Sequence, residues 1–248
     1  MAKPENLDFV IVRENLEDLY LGLEGDIDDL AALNFYSRHA RAALKDLGPG
    51  KYAIKAITEK GAERVIRFAF ELARKRNKQK RLTVTCKYNM LHTSDGLFHQ
   101  VALDMASEYP DIELRTYIVD DFLCRMIAYP EQLDVVVTPN LYGDILSDGA
   151  AGMLGGLGLA PSGCYGDDYA YFESAHGTAP DIVGQHIINP TATLLSASML
   201  LKHIEFAAES AKLEAAVRQV YATGTVLTPD QGGSAKTYEF IDAVRANL

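Results

Sequence analysis

The apolar positions of this chain follow two rhythms in turn. Val65, Phe68, Ala69, Leu72 and Ala73 recur at steps of three and four residues, so Glu59–Lys75 is expected to be an amphipathic helix. Short apolar runs between polar or turn-forming residues predict strands at Leu7–Val12, Leu82–Cys86, Ile112–Val119, Leu133–Val137 and Tyr169–Glu173. A weaker alternation predicts one more at Lys51–Ile57. His99–Ser107 lies in a helical pattern that Pro110 follows closely, and Phe122–Ala128 reads as a short helix ending before Pro130. Thr191–Ala208, rich in Ala and Ser, is expected to be one long, closely packed helix. Strands that alternate with helices mean an α/β fold.

Composition narrows the class without naming a task. The chain has 48% hydrophobic and 23% charged residues and no apolar run of transmembrane length, so neither a membrane nor disorder is expected. A net charge of −10 argues against nucleic acid as a partner. The most basic stretch, Arg74–Arg81, falls at the end of the predicted helix, where cations favour the dipole. Cys86, Cys124 and Cys164 fit neither a zinc pattern nor a disulfide framework, and the first six residues lack the parts of a secretory signal. A reducing cytoplasm is the expected compartment.

The chemistry concentrates in Asn140-Leu-Tyr-Gly-Asp-Ile-Leu-Ser-Asp148, which opens just beyond the apolar run Leu133–Val137. If the segment is helical, Asp144 and Asp148 share one face, a turn apart. Two carboxylates that close repel unless a cation or water lies between them. The following run, Gly149–Gly158, offers no cationic side chain, so the balancing charge is expected from outside. Hard carboxylate oxygens suit Mg²⁺ or Mn²⁺. The plainer alternative is two solvated aspartates on an exposed helix face. Position favours the cation, because open α/β sheets bind ligands at the carboxyl ends of their strands.

Other candidates are weaker one by one. Arg13 suits a bidentate grip on a carboxylate, and Tyr20 can pass a proton if its pKa is lowered, although a surface turn explains both. Lys87, after Leu82–Cys86, is a general acid/base or a lysine reaching solvent. Asp120, which closes the strand Tyr117-Ile-Val119 with Asp121, can add a third carboxylate. Gly155–Gly163 lacks dinucleotide-fingerprint spacing, and no strand immediately precedes it. His176-Gly-Thr-Ala-Pro-Asp181 can seat a nucleotide, with Asp181 accepting from a ribose hydroxyl, or be plain loop.

Taken together, the wording and order of these motifs carry more. Arg13-Glu-Asn-x-Glu-Asp-x-Tyr20, Lys87-x-Asn89, Val119-Asp120, Asn140-Leu-Tyr-Gly-Asp-x-x-Ser-Asp148, Gly155-Gly-Leu-Gly-Leu-Ala-Pro161 and His176-Gly-Thr-Ala-Pro-Asp-x-x-Gly184 resemble the isocitrate/isopropylmalate dehydrogenase family. Asn189-Pro-Thr and Thr228-Pro-Asp-Gln-Gly-Gly233 extend the resemblance over essentially the whole chain. It implies a two-domain α/β fold and metal-dependent oxidative decarboxylation of a 2-hydroxy acid. Mg²⁺ or Mn²⁺ would be held by Asp120, Asp144 and Asp148, with Asp120 supplied by the neighbouring subunit of a homodimer with shared active sites. Arg13 would bind a substrate carboxylate. Lys87, also from the neighbour, would help remove the hydroxyl proton, and Tyr20 would protonate the enolate after CO₂ leaves. His176, Gly177, Thr178, Ala179 and Asn189 would surround the adenosine, with Asn89 near the nicotinamide. Members using NADP carry a Lys-Tyr pair where this chain has Asp181-Ile182, so NAD is the expected cofactor.

The resemblance also breaks. Met1 stands twelve residues before Arg13, where family members have a sizeable region holding their first βα units and most of their substrate-selecting arginines. Residues 1–150 are expected to form the small, dimer-forming clasp domain, and 151–248 the C-terminal part of the large nucleotide-binding domain. Isocitrate is the expected substrate because the Arg13–Tyr20 wording is closest to that branch; isopropylmalate, homoisocitrate and tartrate stay open. The alternative is a truncated, catalytically impaired member serving as a dimerisation or regulatory subunit.

Overall fold

A computed structural model of the protein describes residues 7–248, so the six residues read for a secretory signal lie outside it. The chain divides into two compact units, one ending at Ser147 and one running from Asp148 to Leu248.

The first unit is built from β1 (Val10–Arg13), β2 (Glu24–Asp26), β3 (Tyr36–Ser37), β4 (Ala42–Ala43), β5 (Lys51–Ala53) and α1 (Glu59–Arg76). There follow β6 (Arg81–Cys86), α2 (Ser94–Met105), β7 (Glu113–Ile118), α3 (Val119–Ala128), β8 (Val135–Thr138) and α4 (Asn140–Leu154), the last crossing the division. Strands β1, β8, β6 and β7 form one sheet in that order, parallel throughout. Val135, Val136 and Val137 are all fully buried. Such unbroken burial, rather than alternation, marks a parallel strand covered on both faces.

Helix α1 closes the sheet. The Thr58 hydroxyl caps it by accepting from the Gly61 N–H at 3.1 Å, and Arg74, Lys75 and Arg76 occupy its last turn. Its buried stripe is Ala62, Val65, Ile66, Ala69, Phe70 and Ala73. Phe68 and Leu72, placed on that stripe by spacing alone, are exposed and half-buried; Ile66 and Phe70 hold the inner positions, Phe70 stacking on Tyr109 at 4.4 Å. Of the predicted strand Lys51–Ile57, Lys51–Ala53 pairs antiparallel to β2 and Ala56 makes a single antiparallel bridge to Asp18, with Lys55 turned inward between them. The predicted strand Ile112–Val119 ends at Ile118, and Asp120 and Asp121 stand in the first turn of α3 rather than on the strand.

The second unit contains the hairpin β9 (Pro161–Tyr165) and β10 (Ala170–Ser174), then α5 (Thr191–His203), α6 (Ala207–Thr223) and α7 (Thr237–Arg245). Sequence pattern conceals β9, since it opens on proline and carries Gly163. A Cβ at Gly163 would lie 2.9 Å from the Phe172 ring across the hairpin, so any larger residue would have to displace that ring. The expected single helix Thr191–Ala208 is two. Glu205 adopts φ 69°, the Phe206 N–H turns back to the Leu201 carbonyl at 2.8 Å, and α6 starts afresh at Ala207. Helices α6 and α7 pack through Ala216, Val217, Val220, Phe240 and Val244. Among the described residues no helix is long and apolar enough to cross a membrane, and all three cysteines are free thiols.

Candidate active site

The four parallel strands of the first unit deliver their chemistry at one edge of the sheet. Arg13 ends β1, Lys87 follows β6, Asp120 follows β7, and Asn140 follows β8 by two residues. Parallel strands present all their carboxyl ends on the same side, which is why residues so far apart in sequence meet there.

At the β1–β8 end the Arg13 guanidinium is held twice by the Asn140 side-chain oxygen, at 3.0 Å from Nε and 2.8 Å from Nη2. Its Nη1 pairs with Asp144 Oδ1 at 2.5 Å. The Tyr20 hydroxyl donates to Asp144 Oδ2 at 2.8 Å, so both carboxylate oxygens are engaged. The guanidinium also lies 5.4 Å from the centre of the Tyr20 ring. Asp144 therefore draws its balancing charge from Arg13, within the chain, where sequence reasoning looked only outside it. Tyr20 differs from expectation too. Its phenol donates to a carboxylate, which pushes its pKa up rather than down and keeps the proton on oxygen.

The other acids of the Arg13–Tyr20 motif serve the turn itself. Buried Glu14 accepts from the N–H groups of Leu16 and Glu17 and from Arg64 at 3.0 Å. Glu17 accepts from the N–H and hydroxyl of Thr58. This wedges the motif against the start of α1.

At the β6–β7 end the Lys87 ammonium pairs with Asp120 Oδ1. That ammonium holds the Asp120 carboxyl below the usual carboxylate range, and the first turn of α3 adds to the effect. Asn89 is exposed in the turn after Lys87. Among the described residues no three His, Cys, Asp or Glu side chains gather closely enough to hold a metal. Asp144 and Asp148 stand one turn apart on α4. Both are hard oxygen donors of the type Mg²⁺ or Mn²⁺ takes, and a cation would have to replace Arg13 and Tyr20 on the Asp144 oxygens.

Sequence reasoning missed a third cluster. Lys55 pairs with Asp18 at 3.1 Å and with Asp95 at 2.6 Å, and both aspartates are completely buried. The only local signal was a lysine interrupting an apolar run, Ala53-Ile-Lys-Ala-Ile57.

The nucleotide candidates lie in the second unit. His176 Nδ1 is 2.9 Å from the Gly177 carbonyl, Gly177 and Thr178 are exposed, and Ala179 adopts φ 46° to start the single turn Pro180–Ile182. The Asp181 side chain is exposed, while its carbonyl accepts from Gln185 at 3.1 Å. Asn189 is turned inward instead. Its amide donates to Asp230 at 2.9 Å and Tyr221 at 3.1 Å, and its oxygen accepts from the Thr191 N–H at 3.0 Å. Its side chain shapes the loop before α5.

Residues 1–244 match the isocitrate/isopropylmalate dehydrogenase family. A 3-isopropylmalate/3-methylmalate dehydrogenase of Methanocaldococcus jannaschii is 46% identical over 96% of this chain and 67% of its own length. A probable mitochondrial isocitrate dehydrogenase (NAD) subunit alpha of Drosophila melanogaster is 43% identical over 98% of this chain and 59% of its own. The crystal structure of isocitrate dehydrogenase from Methylococcus capsulatus superposes with a TM-score of 0.84 at 38% identity, covering 96% of this chain and 66% of that one. The chain thus spans about three-fifths to two-thirds of such relatives and belongs to the isocitrate/isopropylmalate dehydrogenase family.

Proposed function

We propose that this chain carries the catalytic core of an NAD-linked, Mg²⁺- or Mn²⁺-dependent oxidative decarboxylase of a 2-hydroxy acid, working as a homodimer with shared sites. The observation that carries the reading is the Arg13–Asp144–Tyr20 cluster at the carboxyl ends of β1 and β8. Arg13 grips a carboxylate in the resting protein and is placed to take a substrate carboxylate instead. Tyr20 keeps its proton, as an acid must if it is to protonate the enolate carbon once CO₂ has left. Lys87 Nζ, from the partner subunit, relays the hydroxyl proton. The metal, held by Asp144, Asp148 and the partner subunit's Asp120, would supply Lewis-acid polarisation of the substrate oxygen. NAD, seated along His176–Ala179, Asp181, Ile182 and the Asn189 loop with Asn89 towards the nicotinamide, would accept the hydride.

On this reading residues 1–150 act as the clasp and 151–248 as part of the nucleotide-binding domain. Isocitrate is the substrate we favour, on the wording of the Arg13–Tyr20 motif, and the related proteins named for isocitrate and 3-isopropylmalate set the range. The test is NADH formation with Mn²⁺, NAD and a panel of isocitrate, isopropylmalate, homoisocitrate and tartrate. Turnover of one acid supports the reading and names the substrate; silence with all four, from folded protein, overturns it for this chain. Asp181→Lys should shift cofactor preference towards NADP, since it replaces a charge that repels the 2′-phosphate.

A further inference from the structure

Arg13 is held at several points along its side chain, and the holders of its head differ in charge. Its stem lies against α4, where a Cβ at Gly143 would come within 2.5 Å of Arg13 Cγ. Its Nη1 meets a carboxylate, Asp144, whose side chain is 45% exposed. Its other edge, Nε with Nη2, meets a neutral oxygen, Asn140 Oδ1, at 3.0 and 2.8 Å. Asn140 is 1% exposed, and its Nδ2 donates to the Glu17 carbonyl at 3.2 Å. Those two neighbours settle which way the amide lies, since a guanidinium only donates and a carbonyl only accepts.

An aspartate of the same shape would keep the contact with Arg13 but turn a second acceptor against the Glu17 carbonyl. It would also set another carboxylate beside Arg13 and cancel the charge that Asp144 does not share. The division matters when ligands arrive. A guanidinium grips a carboxylate through two parallel N–H groups, and Asn140 already fills the edge made by Nε and Nη2. The pair left for an incoming carboxylate is Nη1 with the second hydrogen of Nη2. A cation on Asp144 and a carboxylate on Arg13 both require the Arg13–Asp144 pair to part. Once it has parted, Asn140 still holds the guanidinium and does not neutralise it.

We propose that Asn140 is a positioning residue whose neutral oxygen fixes one edge of Arg13, so that the guanidinium keeps its place and its charge when Asp144 leaves it. The use of that charge on a substrate rests on the dehydrogenase reading above. The anchoring does not, and every group in it belongs to one chain.

The experiment follows the Arg13 Nε–H signal by ¹⁵N-resolved nuclear magnetic resonance on the whole chain, assigned as the peak that Arg13→Lys removes. Its exchange with water is the readout. Asp144→Ala removes the charged partner from an exposed position and should leave that exchange within about twofold of wild type, because Nε stays on Asn140. Asn140→Ala leaves Asp144 in place and should speed it by about tenfold or more. Asn140→Asp separates this role from merely tying down the Glu17 turn. It loses the Glu17 contact yet keeps an acceptor for Nε, so the signal should stay protected. Fast exchange in Asp144→Ala or Asn140→Asp, or slow exchange in Asn140→Ala, overturns the proposal. If Asn140→Ala does not fold, the other two variants decide it. Where wild-type protein turns over an acid, Asn140→Asp should raise the KM for that acid by about tenfold or more with the KM for NAD unchanged, because Arg13 keeps its place and loses its charge. An unaltered KM for the acid also overturns the proposal. Wild-type silence with the expected exchange pattern would sink the dehydrogenase reading and leave the anchor standing.

Discussion

Two glycines of one helix should answer the same substitution in opposite directions. Gly143 and Gly152 both lie inside α4, where replacing an unencumbered glycine by alanine gains about 1 kcal/mol of helix stability. At Gly152 an added Cβ meets nothing within 4 Å, so Gly152→Ala should realise that gain and raise the melting midpoint by about 2–4 °C for a chain of this length. At Gly143 the Cβ would lie 2.5 Å from Arg13 Cγ, 2.8 Å from its Cβ and 3.1 Å from its Cδ. Turning the Arg13 side chain cannot clear the clash, because Arg13 Cβ is fixed by the backbone of β1. Overpacking of this kind costs about 1–3 kcal/mol, which cancels or exceeds the propensity gain. Gly143→Ala should therefore be neutral or up to about 2 kcal/mol destabilising, as the difference of those two ranges. It should also push the guanidinium off Asn140 and Asp144. Urea unfolding of both variants beside wild type, followed by far-ultraviolet circular dichroism, makes the comparison. If Gly143→Ala stabilises as much as Gly152→Ala, Arg13 does not lie across α4 and the geometry of this half-site is wrong.

Three further outcomes are expected. Asp144→Asn should weaken Mn²⁺ binding and, by removing the carboxylate that holds the Tyr20 proton, bring that phenol back down towards 10, seen as the ultraviolet titration difference against Tyr20→Phe; an unmoved titration would detach Tyr20 from Asp144. Half-buried His99 stacks on Tyr88 at 4.1 Å with Nε2 buried and without a hydrogen-bond partner, and burial pushes its pKa below 6.5. The unfolded chain then binds this proton first as pH falls, so stability declines from 6.5 downward and levels off only below the folded pKa. His99→Phe should remove that component of the slope, and equal slopes for the two proteins would count against it. Arg76, 17% exposed, pairs at 2.9 Å with the fully buried Asp134; Arg76→Leu strands that carboxylate and should cost about 3–5 kcal/mol in urea unfolding. Lys78→Ala, which breaks only the exposed pair with Asp8, should cost less than about 1 kcal/mol. Equal losses in the two would show that burial of Asp134 does not set the cost.

The sequence by itself determined the α/β class, the helix at Glu59, the valine strand that the structure places at Val135–Thr138 and the family, because each of these is written locally. A stripe at helical spacing, a run of valines and a motif's wording all depend on residues close along the chain. It also foretold that Arg13, Lys87, Asp120 and Asp144 leave the strands at their carboxyl ends, since strand and motif are adjacent. What it could not settle was the partner of each group. Arg13 and Asp144 are 131 residues apart, and nothing near Asp144 in sequence announces the guanidinium that neutralises it. Lys55, Asp18 and Asp95 each look like ordinary surface charges until the strand order β1–β8–β6–β7 carries their loops to one place. The inward turn of Asn189 onto Tyr221 and Asp230 was hidden for the same reason. Local periodicity records which way a side chain faces; only the folded chain brings distant charges within reach of each other, and burial then makes their pairing obligatory.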